Sequence, residues 1–428
     1  MELEPIGVSN RLFYYMNGAE NSAFDACFRL DFHEELDRAL LMDAVSKALA
    51  SFPEFAIRPV IHRGTVWAVK NDAPIPLLTE DAPPVCYGTE ETQGYVFSVR
   101  ALEKGFVFTY FHGMTDFYGG WSFLRTILYH YAVGKGLAVS ADEVIRLAPD
   151  TSMAELERTD PYRNFVEEGP KAELPAAFAI PEEVYPPEDA RCTSYEVRCP
   201  LKDFLAAAKA QHTSAAAFLS LTAARALDSL YEVGDRPILV MLPADMRKFY
   251  QTATVMNFSD ATFLRYDQEL KALPPEEQGA ALKEQLKSQL NKAHFAPLLA
   301  EKVAAIDGFA GSGTDIFQWN QRLAEPPQGP APFTIPLTYP GRLDLPAGYQ
   351  TLVKHIANML YFRGGGSFGI LGLTYGDTVY LSSSQRFESP AIMQELQKKL
   401  TKAGIPATFH ELPFYQGNQL ITKKLQQV

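Results

Sequence analysis

Cysteine is scarce in this sequence. Four residues, Cys27, Cys86, Cys192 and Cys199, serve a chain of 428. No CxxC pair occurs, and the spacing from Cys192 to Cys199 fits no common zinc pattern, so neither a disulfide framework nor a metal module is expected. All four are expected as reduced thiols. Basic clusters are also missing. Arg247-Lys248 and Lys423-Lys424 are short pairs, and the formal net charge is −12. A nucleic-acid partner needs a basic stripe, and none is present. No apolar run approaches the ~20 residues that cross a bilayer. The first residues, MELEPIGVSNRLFYYMNG, lack a basic and an apolar leader region, so no signal peptide and a cytoplasmic location are expected. Low-complexity segments and readable internal repeats are absent too.

What remains is a globular composition, 47% hydrophobic and 21% charged. Its length predicts two domains rather than one core. The 28 Phe and 20 Tyr suffice to line an apolar cavity as well as fill cores. Leu36, Leu40, Leu41, Val45, Ala48, Leu49 and Phe52 recur at helical spacing until Pro53. A hairpin is predicted to turn at Arg63-Gly64. YVFSVRAL and GFVFTYFH read as two further strands. Phe117, Trp121, Leu124, Leu128 and Tyr131 mark an amphipathic helix ending near Gly134, and their aromatic stripe reads as core. Prolines and acids interrupt the next stretch. The predicted division is therefore 1–150, a Pro-rich linker over 151–191, and 192–428. The last segment again mixes strands (195–200, within 236–247, 261–267, 349–362, 367–385) with helices (201–211, 213–230, 274–293, around 295–309, 389–404). The fold class is α/β (α+β), with mixed sheets flanked by helices.

One stretch carries more than fold. In GFVFTYFHGMTDFYGGWSFL an apolar strand stops at His112, and Asp116 follows four residues later. A histidine at a strand end can face a crevice, and its imidazole can take a proton from a hydroxyl near neutral pH. Asp116 suits the N-cap of the helix that follows, or an ion pair with a distant arginine. Gly119 and Gly120 serve either close packing or a substrate contact. Plain structural roles remain open for each: a turn for His112, a cap for Asp116, a local backbone bond for Asn257.

FHGMTDFYGGWSFL resembles the HHxxxDG motif of the chloramphenicol acetyltransferase-like superfamily, which includes condensation domains and BAHD acyltransferases. The pattern is most similar to that of bacterial alcohol O-acetyltransferases. His112 matches the catalytic histidine, Asp116 the structural aspartate, Gly119 a later glycine, and Phe123-Leu124 an FL pair. MLPADMRKFYQTATVMNF resembles a second motif of that group through Pro243, Arg247, Phe249, Thr254, Asn257 and Phe258. TYPGRLDLP (338–346) resembles a third through Gly341, Leu345 and Pro346. The departures are Phe111 for a first histidine, Phe117 for the glycine after the aspartate, Met256 for an arginine, and Tyr339-Pro340 for an SN pair. The likeness covers roughly 10 to 400.

The resemblance implies two αβ sandwich domains with a tunnel at their interface. It implies an acyl-CoA cosubstrate, acetyl-CoA foremost, and no metal. His112 is implied as general base for acyl transfer to an alcohol, without a covalent intermediate. Asp116 and Arg247 are implied as an ion pair joining the halves. Asn257, Gly119 and Gly120 are implied near substrate or oxyanion. The acceptor is expected to be small and apolar; a carrier protein as donor is the less simple alternative. The departures at Phe117 and Met256 raise the alternative of a degenerate, non-catalytic binding protein. A further alternative is a serine hydrolase, because GGSFG with Ser367 fits GxSxG and Asp377 and His410 follow in order.

Overall fold

The computed structural model describes residues 2–17, 24–141, 145–169, 173–185, 191–324, 332–343, 345, 348–362, 367–413 and 417–428. Its strands are β1 (Glu4–Pro5), β2 (Phe24–Phe32), β3 (Ile57–His62), β4 (Thr65–Lys70), β5 (Leu77–Leu78), β6 (Phe97–Leu102), β7 (Gly105–Phe111), β8 (Tyr195–Pro200), β9 (Ile238–Asp245), β10 (Ser259–Tyr266), β11 (Ile335–Thr338), β12 (Val353–Phe362), β13 (Phe368–Tyr375), β14 (Thr378–Gln385), β15 (Thr408–Glu411) and β16 (Gln426–Gln427). The α-helices are α1 (Val8–Asn17), α2 (Arg38–Ser51), α3 (Phe117–Gly134), α4 (Glu155–Thr159), α5 (Pro161–Asn164), α6 (Leu201–Ala210), α7 (Ala215–Leu230), α8 (Arg247–Tyr250), α9 (Gln268–Ala272), α10 (Pro275–Gln289), α11 (Lys292–Gly311), α12 (Ile316–Ala324) and α13 (Ala391–Lys402).

Three sheets organise these elements. A five-stranded sheet runs β12-β2-β7-β6-β5, a seven-stranded one β10-β9-β11-β13-β14-β8-β15, and a four-stranded one β1-β4-β3-β16. The seven-stranded sheet is mixed: β11 lies parallel to β9 and β13, and its other neighbours pair antiparallel. Mixed sheets flanked by helices are what the sequence pattern implied. One core gathers Phe28, Phe106, Phe108, Phe123, Leu124 and Leu128 with Leu41, Val45 and Ala48 of α2. The other gathers Val197, Val240, Leu264 and Leu381 with Phe218 and Leu221 of α7 and Leu396 of α13. Trp121 and Tyr131 belong to the first core, so the aromatic stripe of α3 is packing. The four cysteines are free and buried.

Local chemistry sets several joints. Arg63 and Gly64 take φ of 48° and 73°, the left-handed pair a tight hairpin needs. Gly105 closes the β6–β7 turn at φ 134°, and a Cβ there would stand 2.0 Å from the Leu30 carbonyl oxygen. Ser214 caps α7 through the Ala217 N–H. The free edge of β10 is closed by side chains. Gln289 Oε1 accepts from Phe263 N and its Nε2 donates to Phe263 O, both at 2.8 Å. Gln285 repeats this at Arg265, with distances of 2.8 and 3.2 Å. Four residues of helix rise about 6 Å and two residues of strand about 6.8 Å, so the spacings match.

Sheet membership does not follow chain order. β12 pairs antiparallel with β2 from His355↔Asp31 to Phe362↔Phe24, and β16 pairs with β3. Both strands fall in the 192–428 segment, yet both join sheets built from the first 150 residues. Within 151–191, Tyr162 is fully buried and donates to the Ser259 carbonyl at 2.9 Å, so this part of the Pro-rich stretch is docked on the body. Pro170, Pro186 and Pro187 lie outside the described residues.

A buried charged clamp joins the five- and seven-stranded sheets. His355 Nδ1 lies 2.9 Å from Asp31 Oδ2 of β2, and its Nε2 lies 3.1 Å from both Glu196 oxygens of β8. Arg29 pairs with Asp31 at 2.9 Å, Arg198 with Glu196 at 2.5 Å, and the Tyr380 ring of β14 lies 5.0 Å from the imidazole. Burial alone would lower the His355 pKa, but the two carboxylates outweigh it and raise it. Those same contacts overcome burial at Asp31 and Glu196 and lower both carboxyl pKa values.

Candidate active site

Strand β7 delivers His112 to the seam between the two sheets' elements. Its backbone N–H continues the ladder to the Phe24 carbonyl at 2.8 Å. Its carbonyl accepts from Asn257 Nδ2 at 2.8 Å. The ring stacks on Phe13 of α1, with centroids 4.5 Å apart and planes at 16°. Phe24 meets it edge-on at 5.2 Å. The residue is half-buried, and Nδ1 is buried with no partner in hydrogen-bonding geometry. Burial holds the imidazole below its usual pKa. Its own backbone carbonyl, the Asp116 carboxylate and the Asn257 side chain pull the other way, and Lys302 of α11 adds to the lowering. The neutral ring is therefore the favoured form near pH 7.

Asp116 performs both roles the sequence offered it. Its Oδ1 caps α3 by accepting from Gly119 N at 3.2 Å. The same carboxylate takes Arg247 in a two-pronged pair, Nη1 to Oδ2 at 2.9 Å and Nη2 to Oδ1 at 3.0 Å. Phe258 N donates to Oδ2 at 2.9 Å. Both side chains are 4% exposed. The other guanidinium N–H groups reach Thr254 O at 2.7 Å, Met256 O at 2.6 Å and Asp245 Oδ1 at 3.0 Å. All five donors of Arg247 are thus satisfied. Its Cζ sits 4.4 Å from the Tyr118 ring centroid. Desolvation would lower the Arg247 pKa, but Asp116 and Asp245 reverse this and raise it.

The departures from the motif are accommodated by backbone. Phe117 is the first residue of α3 and is not among the residues with positive φ, so no left-handed glycine is needed there. Its ring packs 5.3 Å from Phe28. Met256 serves Arg247 through its carbonyl, a role open to any side chain. The two glycines are packing points. A Cβ on Gly119 would stand 2.0 Å from Thr115 Oγ1 and 2.2 Å from Val255 O; one on Gly120 would stand 2.6 Å from the Tyr110 ring. The third motif brackets β13: Gly341 takes φ 88°, and its carbonyl accepts from Thr374 N at 2.9 Å. Pro346 lies outside the described residues.

The serine-hydrolase reading fails on topology. Ser367 precedes β13, which turns directly into β14 rather than into a helix. Asp377 sits in the turn at the far end of that strand, about 24 Å away by strand rise. His410 lies on the edge strand β15 and bonds Thr408 at 2.9 Å. No triad can assemble from these three. Among the described residues, no group of three or more His, Cys, Asp or Glu is arranged to hold a metal ion, and no helix is long and apolar enough to cross a membrane.

Several residues at the site carried no sequence signal. Asn10, Phe13 and Phe24 act through position rather than motif, and Lys302 lies on a segment whose sequence reads only as helical. In α1 the pair Asn10 and Phe13 has helical spacing, which was the one available hint.

No family model and no curated protein sequence matches the chain. Solved structures do. The chain is similar to polyketide synthase associated protein 5 from Mycobacterium tuberculosis, with a TM-score of 0.60 and 14% identity, over 93% of this chain and 98% of that one. It is similar to TRI101 of F. sporotrichioides complexed with coenzyme A and T-2, with a TM-score of 0.58 and 12% identity, over 96% and 100%. It is also similar to the condensation domain from Monacolin K polyketide synthase MokA, with a TM-score of 0.57 and 11% identity, over 94% and 97%. At these identities the likeness establishes architecture, and the chain has the condensation-domain fold that its motifs implied.

Proposed function

We propose that this protein is an acyltransferase that moves an acyl group, acetyl foremost, from a CoA thioester to the hydroxyl of a small apolar acceptor. One observation carries the reading. A neutral, half-buried imidazole stands at a strand end, on a loop locked by the buried Asp116–Arg247 pair. Acyl transfer needs a base that is unprotonated near pH 7 and two substrates aligned around it. Nδ1 is buried, so Nε2 is the nitrogen offered to substrate. It accepts the hydroxyl proton as the oxygen attacks the thioester carbonyl. The C–S bond then breaks, and the imidazolium returns the proton to the departing thiolate. No acyl-enzyme forms.

Asp116 and Arg247 hold the loop and do not touch the reacting atoms. Substrates approach the ring through a passage between the two halves, donor from one face and acceptor from the other. Phe13 and Phe24 beside the ring favour an apolar acceptor. A bacterial alcohol O-acetyltransferase is the subclass the motifs fit, and a cytoplasmic setting suits free CoA thioesters. Phe117 and Met256 fit without disturbing the Asp116–Arg247 pair, which supports a working site over a degenerate one. In TRI101 the solved complex contains coenzyme A together with T-2. That pairing of a CoA with a small molecule on this fold supports the two-substrate reading. The test is a panel of acyl-CoA donors and alcohols, followed by thiol release and mass spectrometry. Ester formation is expected from the native chain and not from folded His112→Ala. Equal product from both would remove His112 from the chemistry.

A further inference from the structure

Five successive residues, 112 to 116, form the loop between β7 and α3, and each is fixed from outside the loop. Asp116 is held by Arg247 and Phe258. Thr115 Oγ1 donates to the Val255 carbonyl at 2.5 Å. The three residues before it are held by their carbonyls. Asn257 Nδ2 takes His112 O, as described. Asn10 Nδ2 takes the next two, donating to Gly113 O at 2.9 Å and Met114 O at 2.7 Å.

We propose that Asn10 is a positioning residue for His112, its amide nitrogen straddling the two carbonyls after the histidine and so fixing the pose of the imidazole against Phe13. Asn10 and Phe13 stand three apart on α1 and therefore share one face. That face presents the clamp and the stacking ring together. Asn10 is 1% exposed, so water does not substitute for it. Both partners are carbonyls, which only the NH2 end can serve. Aspartate has the same shape but sets an oxygen against two oxygens. Serine reaches one carbonyl at most. When the amide is lost, two buried carbonyls lose their donor and the loop relaxes toward solvent. The ring then lifts from Phe13 and hydrates, and its pKa rises toward the ordinary imidazole value. The charged groups acting on the ring are Asp116 of its own loop and Lys302 of α11. Neither is altered by the substitution.

The catalytic consequence rests on the acyl-transfer reading; the positioning itself does not. The experiment is therefore double. Asn10→Ala, Asn10→Asp and Asn10→Ser are compared with the native chain by NMR titration of the His112 ring, assigned by its loss in His112→Ala. They are also compared by kcat and KM for acyl transfer per folded molecule. For Asn10→Ala the ring is expected to titrate at higher pH. Its kcat is expected to fall by about tenfold to a hundredfold, as for a misplaced reacting group, with KM within about twofold. Serine should recover part of both, and aspartate none. A merely structural role would lower the unfolding midpoint and leave titration and kcat unchanged, and that result overturns the proposal. If alanine prevents folding, the serine variant decides by the same two readouts. If the native chain transfers no acyl group, the acyl-transfer reading fails, while the titration still tests the clamp.

Discussion

Replacing Asp116 by asparagine alters shape least and interactions most. The native carboxylate accepts four hydrogen bonds, two from Arg247 and one each from Gly119 N and Phe258 N. An asparagine keeps one oxygen. Whichever way its amide turns, an NH2 group meets a guanidinium N–H and a backbone N–H, three donors with no acceptor. Arg247 retains Asp245, but that carboxylate is 35% exposed and meets the guanidinium only once, at 3.0 Å. Removing one partner of a buried pair costs about 3–5 kcal/mol, because the other charge stays buried and uncompensated. The assay is the denaturation midpoint of Asp116→Asn, Arg247→Met and the double variant, read as a cycle. The two losses should be far from additive, since the second substitution removes a charge already stranded. Turnover should fall about a hundredfold with loop displacement. An Asp116→Asn protein that unfolds like the native chain while losing turnover would refute the assignment, because the carboxylate would then act on substrate rather than on the loop.

Three other outcomes are expected. The His112 pKa is lowered, so acyl transfer should hold steady through neutral pH and decline only below the ordinary imidazole value of about 6.5, as a pH–rate profile would show. The His355 clamp should be strongest between the unfolded carboxyl and imidazole values, about 4.5 to 6.5. The raised His355 pKa gives stability present below that window's upper bound and lost as pH rises through the folded value. The lowered Asp31 and Glu196 values give stability lost only as pH falls through them. Melting scans of His355→Gln should lack the alkaline decline. Gly119→Ala should destabilise by about 1–3 kcal/mol through overpacking, measurable as a lower midpoint, since its Cβ would stand 2.2 Å from the Val255 carbonyl.

Local signals carried much of the fold. α2 and α3 show full apolar stripes, and the turns at Arg63-Gly64 and before Gly105 are punctuated by glycine. β2 was invisible because Asp25, Arg29 and Asp31 interrupt its apolar pattern; Asp25 and Asp31 are satisfied by partners distant in sequence, and Arg29 by Asp31. The placement of β12 beside β2 depends on pairing across more than 300 residues, which no local period encodes. At the site, His112, Asp116 and Arg247 were legible as motif members, and the ion pair between them is present. For Asn257 the sequence leaves both a substrate or oxyanion contact and a backbone bond open, and in the fold its amide donates to the His112 carbonyl. Asn10 carried no motif at all, because backbone carbonyls are its partners and they leave no trace in side-chain chemistry.

The glutamines that close β10 also govern how the molecule meets its own copies. A bare outer strand is a template on which a neighbour can lay a strand and continue the sheet. Here the row from Phe263 to Arg265 is already occupied, so intermolecular growth on that flank would first have to peel α10 away. The opposite flank, β15, is only four residues long and ends in Glu411, a poor seed for extension. Both flanks of this sheet therefore resist extension, and Gln285→Ala with Gln289→Ala would bare the row from Phe263 to Arg265.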